Sequence, residues 1–242
     1  MKAGARADVA LVERGFFASR AKAREAIEAG LVRAGGRVIA KPSEPIAPDE
    51  AIEAGAPYPW VSRGGVKLEA ALEAFGFDPS GCACLDIGAS TGGFTEVLLA
   101  RGARHVAAVD VGTAQMHARL RDGPRVRLLE QTDARKLTPD QAGAPAFVVA
   151  DVSFISLRLI LPPVLALAAA PAHLVALVKP QFEVGPQDVK KGIVRDEQAR
   201  ARALRDIVAL VAAQGWRVVG QIVSPISGGD GNIEYLIGAR RP

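Results

Sequence analysis

The sequence predicts an α/β protein: an open, mostly parallel sheet with helices on both faces and an antiparallel end strand, preceded by a small α+β module. Three observations carry this reading. From residue 82 onward, short apolar runs alternate with helix-patterned stretches, as parallel strands joined by crossover helices require. A glycine-rich turn follows the first of these runs, in Leu85-Asp86-Ile87-Gly88-Ala89-Ser90-Thr91-Gly92-Gly93-Phe94-Thr95. The pattern also changes character at Pro57-Tyr58-Pro59-Trp60, where two prolines stiffen the backbone and bias it toward extended shapes.

Bulk properties agree. A length of 242 residues suits one large domain plus a small one, and 49% apolar residues with a mean hydropathy of +0.17 describe a globular chain. The net charge of +4 and pI near 9.3 lean toward anionic partners. That charge is concentrated: residues 1–41 hold nine Lys/Arg against four acids, more net charge than the whole chain. Cys82 and Cys84 sit one residue apart on one face of a predicted strand. They are too close for an unstrained disulfide and lack partners for a metal site, so they read as core thiols. The sequence shows no signal peptide, which fits a reduced, cytoplasmic protein. The longest apolar run, 157–178, contains Arg158, three prolines and His173. It reads as a buried helix and strand rather than a membrane span.

Residues 6–20 read as a helix with Ala7, Leu11 and Val12 on one face, followed by Phe16 and Phe17, which read as core. A second helix starts at Ser19, a good N-cap, and runs to Gly30. Leu31-Val32-Arg33, a Gly35-Gly36 turn and Arg37-Val38-Ile39 make a hairpin, and 51–53 is another short strand. The predicted organisation is a binding module over 1–56, a linker over 57–63 and a second domain over 64–242. That domain opens with a helix over 66–75. Strands are expected over 82–87, 105–110, 126–130, 146–151 and 173–179, with helices over 93–101, 114–120, 157–169 and 197–214. Two late strands, 216–224 and 234–239, are close enough to pair antiparallel. A parallel sheet with one such reversed end is the usual methyltransferase architecture.

In doubly wound sheets, ligands sit outside the carboxyl ends of the strands, where strand order reverses. Asp86 closes the first strand, Asp110 the second, and Asp133 follows the third. Any one of them is as well explained as a cap. Three in series with Gly88, Gly92 and Gly93 are not. The spacing Gly-x-x-x-Gly-Gly differs from the Gly-x-Gly-x-x-Gly of hydride-transfer domains and points to S-adenosylmethionine. Asp110 would accept hydrogen bonds from ribose hydroxyls, and Asp133 would meet the adenine amino group. Asp86 or the neighbouring backbone would face the methionine end, beside the turn and helix start formed by Gly88, Ser90, Gly92, Gly93 and Phe94.

Four further polar residues fall near the same edge: Lys67 on the helix before the sheet, Asp151 closing the fourth strand, Lys179 closing the fifth, and Glu234 opening the last. A Lys-Asp-Lys-Glu set suits methylation of a ribose 2′-hydroxyl, a poor nucleophile until its proton is removed. A lysine desolvated beside a second cation can reach a pKa of about 7–8 and act as general base. Lys179 follows the apolar run Leu174-Val175-Ala176-Leu177-Val178 and precedes Pro180, which makes it the candidate base. Lys67 and Glu234 would orient the hydroxyl and the base, and Asp151, which also borders the donor site, would hold Lys179. By spacing alone Lys67 would look normal on any amphipathic helix. Base-amine methylation would call for an Asn/Asp-Pro-Pro-aromatic turn, where this chain has Asp151-Val152-Ser153-Phe154. Base C5 methylation would need a cysteine there, and both cysteines lie in the first strand.

Over essentially its full length the sequence resembles the TlyA family, ribosomal RNA methyltransferases often labelled haemolysins, which join a module of the ribosomal protein S-four type to an FtsJ-like 2′-O-methyltransferase domain. The matching runs are Arg6-Ala7-Asp8, Ser19-Arg20-Ala21-Lys22-Ala23, Val61-Ser62-Arg63-Gly64-Gly65-Val66-Lys67-Leu68, Asp86 to Thr95, Asp151-Val152-Ser153-Phe154-Ile155-Ser156, Val178-Lys179-Pro180-Gln181-Phe182-Glu183 and Gly228-Gly229-Asp230-Gly231-Asn232-Ile233-Glu234. The resemblance implies that the tetrad falls on Lys67, Asp151, Lys179 and Glu234. It also implies ribosomal RNA within ribosomal subunits as partner and cytidine 2′-hydroxyls as targets. Arg33-Ala34-Gly35-Gly36 departs from the family's usual asparagine before the glycine.

Independently, Arg20, Lys22 and Arg24 crowd one helix start, where phosphates would meet free N–H groups. With Arg6 they are the candidate RNA contacts. Few aromatics are available for stacking, so shape and phosphate contact should dominate. The competing readings are a non-catalytic ribosome-assembly factor, against which the intact tetrad argues, and a membrane-active haemolysin. No spanning segment and no basic amphipathic helix with a broad aromatic face supports the latter.

Overall fold

Glycine turns and capped helices punctuate the chain into two compact units, Met1–Pro59 and Trp60–Pro242. The computed structural model describes residues 4–17, 19–228 and 231–242. The first unit contains β1 (Ala5–Arg6), α1 (Ala7–Glu13), α2 (Arg20–Glu28), β2 (Val32–Ala34), β3 (Arg37–Val38), β4 (Pro45–Ile46) and β5 (Ile52–Ala54). β1 pairs with β4, and β3-β2-β5 form a three-stranded antiparallel sheet. Ser19 Oγ accepts from the Lys22 N–H at 3.4 Å to start α2, and the chain leaves through Gly30 at φ +72°. The helix expected over 6–20 is shorter, because Gly15 turns the backbone at φ +77°. Leu11, Ile27, Val32, Ile39 and Ile46 are fully buried in this small core. Phe17 packs against it, whereas Phe16 lies on the surface, contrary to its reading as core.

The second unit contains α3 (Gly64–Phe75), β6 (Ala83–Ile87), α4 (Gly93–Ala100), β7 (His105–Val109), α5 (Ala118–Arg121), β8 (Val126–Leu129), α6 (Pro139–Ala142), β9 (Phe147–Ala150), α7 (Leu157–Ala166), β10 (Ala172–Val178), α8 (Glu197–Ala213), β11 (Arg217–Val223) and β12 (Tyr235–Arg241). They build a seven-stranded sheet in the order β11-β12-β10-β9-β6-β7-β8. β6 to β10 run parallel, and β12 runs antiparallel to both its neighbours. The reversed strand therefore lies one place inside the edge, with β11 outermost.

Period-two alternation sends Leu174, Ala176 and Val178 into a core shared with α7 and α8, while Val175 and Leu177 face α3 and α4. Each fully buried Leu, Ile or Phe contributes roughly 1.5–3 kcal/mol. Cys84 is buried and Cys82 packs against the same core, both as free thiols. The helix expected over 114–120 begins only at Ala118. Glu130, at the end of β8, takes the N–H groups of Ala114 and Gln115 (2.9 and 3.1 Å), and Ala114 sits in the left-handed region.

Candidate active site

Chain order reverses between β6, which leads outward to β7 and β8, and β9, which starts the other half of the sheet. At the carboxyl ends of these strands lies a cavity of about 420 Å3, whose wall includes Gly88, Ser90, Asp110, Asp133, Asp151 and Phe154. Gly88 has φ +80°, and a Cβ there would stand 2.3 Å from the Asp151 carbonyl oxygen. Neighbouring strand ends thus require this glycine. Gly92 and Gly93 do not line the cavity. A Cβ on Gly92 would meet Met116 Sδ at 2.5 Å, and one on Gly93 would meet Ser62 Oγ at 2.2 Å.

Two carboxylates on the wall are held in place, Asp110 by backbone and Asp133 chiefly by a side chain. Asp110 Oδ2 accepts from the Ser90 N–H at 2.8 Å and Oδ1 from the Gly112 N–H at 2.7 Å. Arg135 grips Asp133 in a fork, Nε to Oδ1 at 2.9 Å and Nη2 to Oδ2 at 2.7 Å, which holds that carboxyl down at about 2. Asp86 and Phe94 also stand away from the cavity wall. Phe94 is core beneath α4. Asp86 is fully buried, its Oδ2 accepting from Thr95 Oγ1 at 2.6 Å while Oδ1 has no partner among the described residues. Burial pushes it up to about 7, against the pull of the Thr95 hydroxyl.

Beside this cavity the sheet edge gathers the four separated polar residues. Asp151 follows β9 and Lys179 follows β10. Val178 pairs with Tyr235, so Glu234, just before β12, stands next to Lys179. Lys67 reaches the edge from the first turn of α3. Its Nζ lies 2.5 Å from Glu234 Oε2, with the side chains 9% and 3% exposed. Lys179 Nζ lies 2.6 Å from Asp151 Oδ1, outside hydrogen-bonding angles, and donates to Ser153 Oγ at 2.8 Å. The result is a row of alternating sign: Asp151, Lys179, Glu234, Lys67.

Asn232 fastens the segment that carries Glu234. Buried at 2% exposure, its Oδ1 accepts from the Val194 N–H at 3.1 Å and its Nδ2 donates to the Gly192 carbonyl at 2.8 Å. Gly229 and Asp230 of the 228–234 run lie outside the described residues. Phe154 has φ +63° and is 92% exposed, its ring 5.3 Å from that of Phe182. A bulky side chain held in left-handed backbone marks a constrained site. Sequence reasoning passed over Ser153, Phe154 and Asn232, although all three sit in the matching runs.

In the first unit, Arg6, Arg20 and Arg24 converge on one wholly buried acid, Asp8, at 3.0, 2.8 and 3.1 Å. The Arg6 hydrogen bond, with help from Arg20 and Arg24, holds that carboxyl well below the usual range. Each arginine side chain stays about half exposed. Lys22 lies outside the cluster. Among the described residues no group of three His, Cys, Asp or Glu is arranged to hold a metal ion, and no helix is long and apolar enough to cross a membrane.

Residues 60–241 match the model of the FtsJ-like methyltransferase family, and residues 5–52 match the S4 domain. The 16S/23S rRNA (cytidine-2′-O)-methyltransferase TlyA of Mycobacterium tuberculosis is 48% identical over 240 residues, 98% of this chain and 90% of its own. Hemolysin A of Brachyspira hyodysenteriae is 40% identical over 225 residues, 92% of this chain and 94% of its own. A solved structure from Streptococcus thermophilus, described as a candidate hemolysin, matches 100% of this chain and 90% of its own with a TM-score of 0.78 and 41% identity. At this identity and coverage the chain belongs to the TlyA proteins, FtsJ-like methyltransferases that carry an S4 domain.

Proposed function

We propose that the protein methylates ribose 2′-hydroxyls, those of cytidine, in ribosomal RNA, with S-adenosylmethionine as donor and Lys179 as general base. The observation that carries this is the row of two lysine–carboxylate pairs, Lys179–Asp151 and Lys67–Glu234, at 2.6 and 2.5 Å along one strand-end edge. The Mycobacterium tuberculosis relative, named as a 16S/23S rRNA (cytidine-2′-O)-methyltransferase, supports the choice of substrate. In this reading residues 1–56 bind RNA, 57–63 link, and 64–242 carry the reaction in the cytoplasm, where ribosomal subunits are the partner.

The cavity beside that edge fits the donor. Each Asp110 oxygen takes one backbone N–H and keeps a free lone pair for a ribose diol, whereas Arg135 already engages both oxygens of Asp133. Gly88 and Ser90 form the near wall. Asp86, through the Thr95 hydroxyl, braces the start of α4 behind it. When bound, S-adenosylmethionine supplies an electrophilic methyl group.

The chain's own work is to position the ribose and move one proton. Lys179 Nζ receives the proton of the 2′-hydroxyl as that oxygen attacks, a contribution worth about 10²–10⁴-fold. Asp151 and Ser153 hold the amine in place, and the Lys67–Glu234 pair orients the hydroxyl from the other side. Their burial excludes water, which strengthens each contact. Phe154 offers an exposed ring at the rim on which a base can stack.

The test incubates purified protein and labelled donor with ribosomal subunits lacking the modification, then maps labelled riboses. Label is expected on cytidine 2′-oxygens, with transfer reduced at least about 100-fold in Lys179→Ala while donor binding persists. Transfer that survives Lys179→Ala would remove it as the base. No transfer to any ribosomal particle would favour an assembly factor, and lysis of membranes at low protein concentration would favour the haemolysin reading.

A further inference from the structure

At the opposite end of the same sheet, where β10 begins and β12 finishes, lies a second cavity of about 420 Å3. Its polar lining is entirely basic: His173, Arg217, Arg240 and Arg241. The remaining wall is proline and alanine, with no acidic side chain. Strand register explains the convergence. His173 of β10 pairs with Arg240 of β12, which pairs in turn with Arg217 of β11. Directly paired residues of antiparallel strands project to the same face, so three basic side chains stand in a row across three strands.

Such a row is costly, because like charges directly opposite one another destabilise a sheet. Neither Arg217 nor Arg240 has a carboxylate partner among the described residues. Asp78, which follows Phe77, turns one oxygen to the Ser80 N–H at 2.9 Å and is not on the wall. The fold also holds two members of the row in place. The Arg240 guanidinium lies 5.2 Å over the Phe77 ring. His173 stacks on Phe147 with centroids 5.6 Å apart and meets Phe77 edge-on at 4.7 Å. Burial, and after it Arg240, lowers the imidazole below its ordinary value. Both effects favour the uncharged ring, which adds less repulsion to the row. Arg241 spends one nitrogen on the Leu165 and Ala168 carbonyls at 3.3 and 3.1 Å, which leaves further N–H groups free. Fork-shaped donors without a carboxylate partner, gathered in this way, suit a phosphate.

Distance selects the source of the phosphate. β10 runs seven residues from this cavity to Lys179, about 20 Å at strand rise. A small ligand cannot touch both ends, but a polyanionic chain can. The geometry points to a second RNA-backbone site, in which Arg217, Arg240 and His173 hold a phosphodiester of the substrate about 20 Å from the methylated ribose. This rests on the reading of the substrate as RNA.

The test measures binding of the full chain to ribosomal subunits lacking the modification, at fixed magnesium over a series of monovalent salt. It compares the parent with Arg217→Glu and with Arg217→Glu/Arg240→Glu. Each lost phosphate contact lowers the slope of log affinity against log salt by about 0.7–0.9, so the single variant should lose about one such step and the double variant up to two. Donor binding should match the parent in both. Arg217→Glu should not lower the parent's thermal midpoint, since that side chain is exposed, makes no hydrogen bond or ion pair among the described residues and stands opposite Arg240. Arg205→Glu, the same charge change on the outside of α8, sets the unspecific baseline. Slopes equal to the parent's, or a loss no larger than that of Arg205→Glu, would overturn the proposal. A titration with inorganic phosphate, followed on the His173 ring signals, separates the sources. A response lost in the variants while the salt slope holds would make this a free-phosphate site and overturn the RNA assignment. The slope needs no turnover, so a parent that methylates nothing would sink the 2′-O reading without deciding this one.

Discussion

Removing one partner of the Lys67–Glu234 pair should destabilise the second unit severely, and removing both should not. The side chains are 9% and 3% exposed and their charged atoms are 2.5 Å apart. At an effective dielectric near 20 the gross attraction is about 7 kcal/mol. Desolvating two ions cancels most of it, so the pair contributes little net stability. Lys67→Met nevertheless leaves Glu234 buried without its cation, and Glu234→Leu leaves Lys67 without its anion. Each should cost about 3–5 kcal/mol. In Lys67→Met/Glu234→Leu no charge is stranded, and stability should return to within about 1–2 kcal/mol of the parent. Urea unfolding followed by tryptophan fluorescence reads this unit selectively, because both tryptophans, Trp60 and Trp216, lie in it. Methyl transfer should stay about 100-fold or more below the parent in all three variants. Single-variant losses that simply add in the double would refute the closed ion pair. A double variant that regains transfer would refute its role in the reaction.

Two further outcomes follow from buried polar groups near the same edge. Burial pushes Asp86 up to about 7 from 3.8, so between about pH 4 and 7 the folded chain holds a proton that the unfolded chain has released, and stability falls as pH rises. Asp86→Asn should remove that dependence, gaining up to about 4 kcal/mol on the parent between pH 4 and 8 in urea unfolding; a pH-independent difference would refute the assignment. Asn232→Ala leaves the Val194 N–H and the Gly192 carbonyl without partners, at about 1–3 kcal/mol each. It should lower kcat while KM for the ribosomal particle holds, and an unchanged kcat would show that the 228–234 segment does not depend on this tether.

What could be read from the sequence was whatever depends on periodicity and strand ends. Leu174 to Val178 could only be a buried strand, and a residue closing such a strand has to emerge at the carboxyl edge, so Asp151 and Lys179 were legible without coordinates. Their shared edge with Glu234 depends on β12 entering between β10 and β11, a register that no local pattern states. Lys67 had no distinguishing signal, because its partner is 167 positions away. Ala114 and Gln115 read as helix but are not, because a carboxylate after the next strand takes their N–H groups. The basic start of α2 was legible as charge. Its organisation was not, since Asp8 looks like an ordinary first-turn acid until three guanidiniums are seen on it.

At the glycine turn, packing supplies a cause that the sequence pattern does not state. Gly-x-x-x-Gly-Gly suggested backbone laid open to a ligand. In the fold, Gly88, Gly92 and Gly93 are small because the Asp151 carbonyl, Met116 and Ser62 press against them. What the turn offers the cavity is therefore N–H geometry and little open space. The contact at Gly88 ties the turn to the carbonyl of Asp151, whose side chain holds Lys179. A shift of the turn must move the Lys179 side of the row with it. Asp86 braces the turn from behind, and Asp151 bounds it in front. The cavity wall and the proposed base are thus one packed structure, and under the proposed reaction the same strand ends would set the positions of the methyl group and of the proton acceptor together.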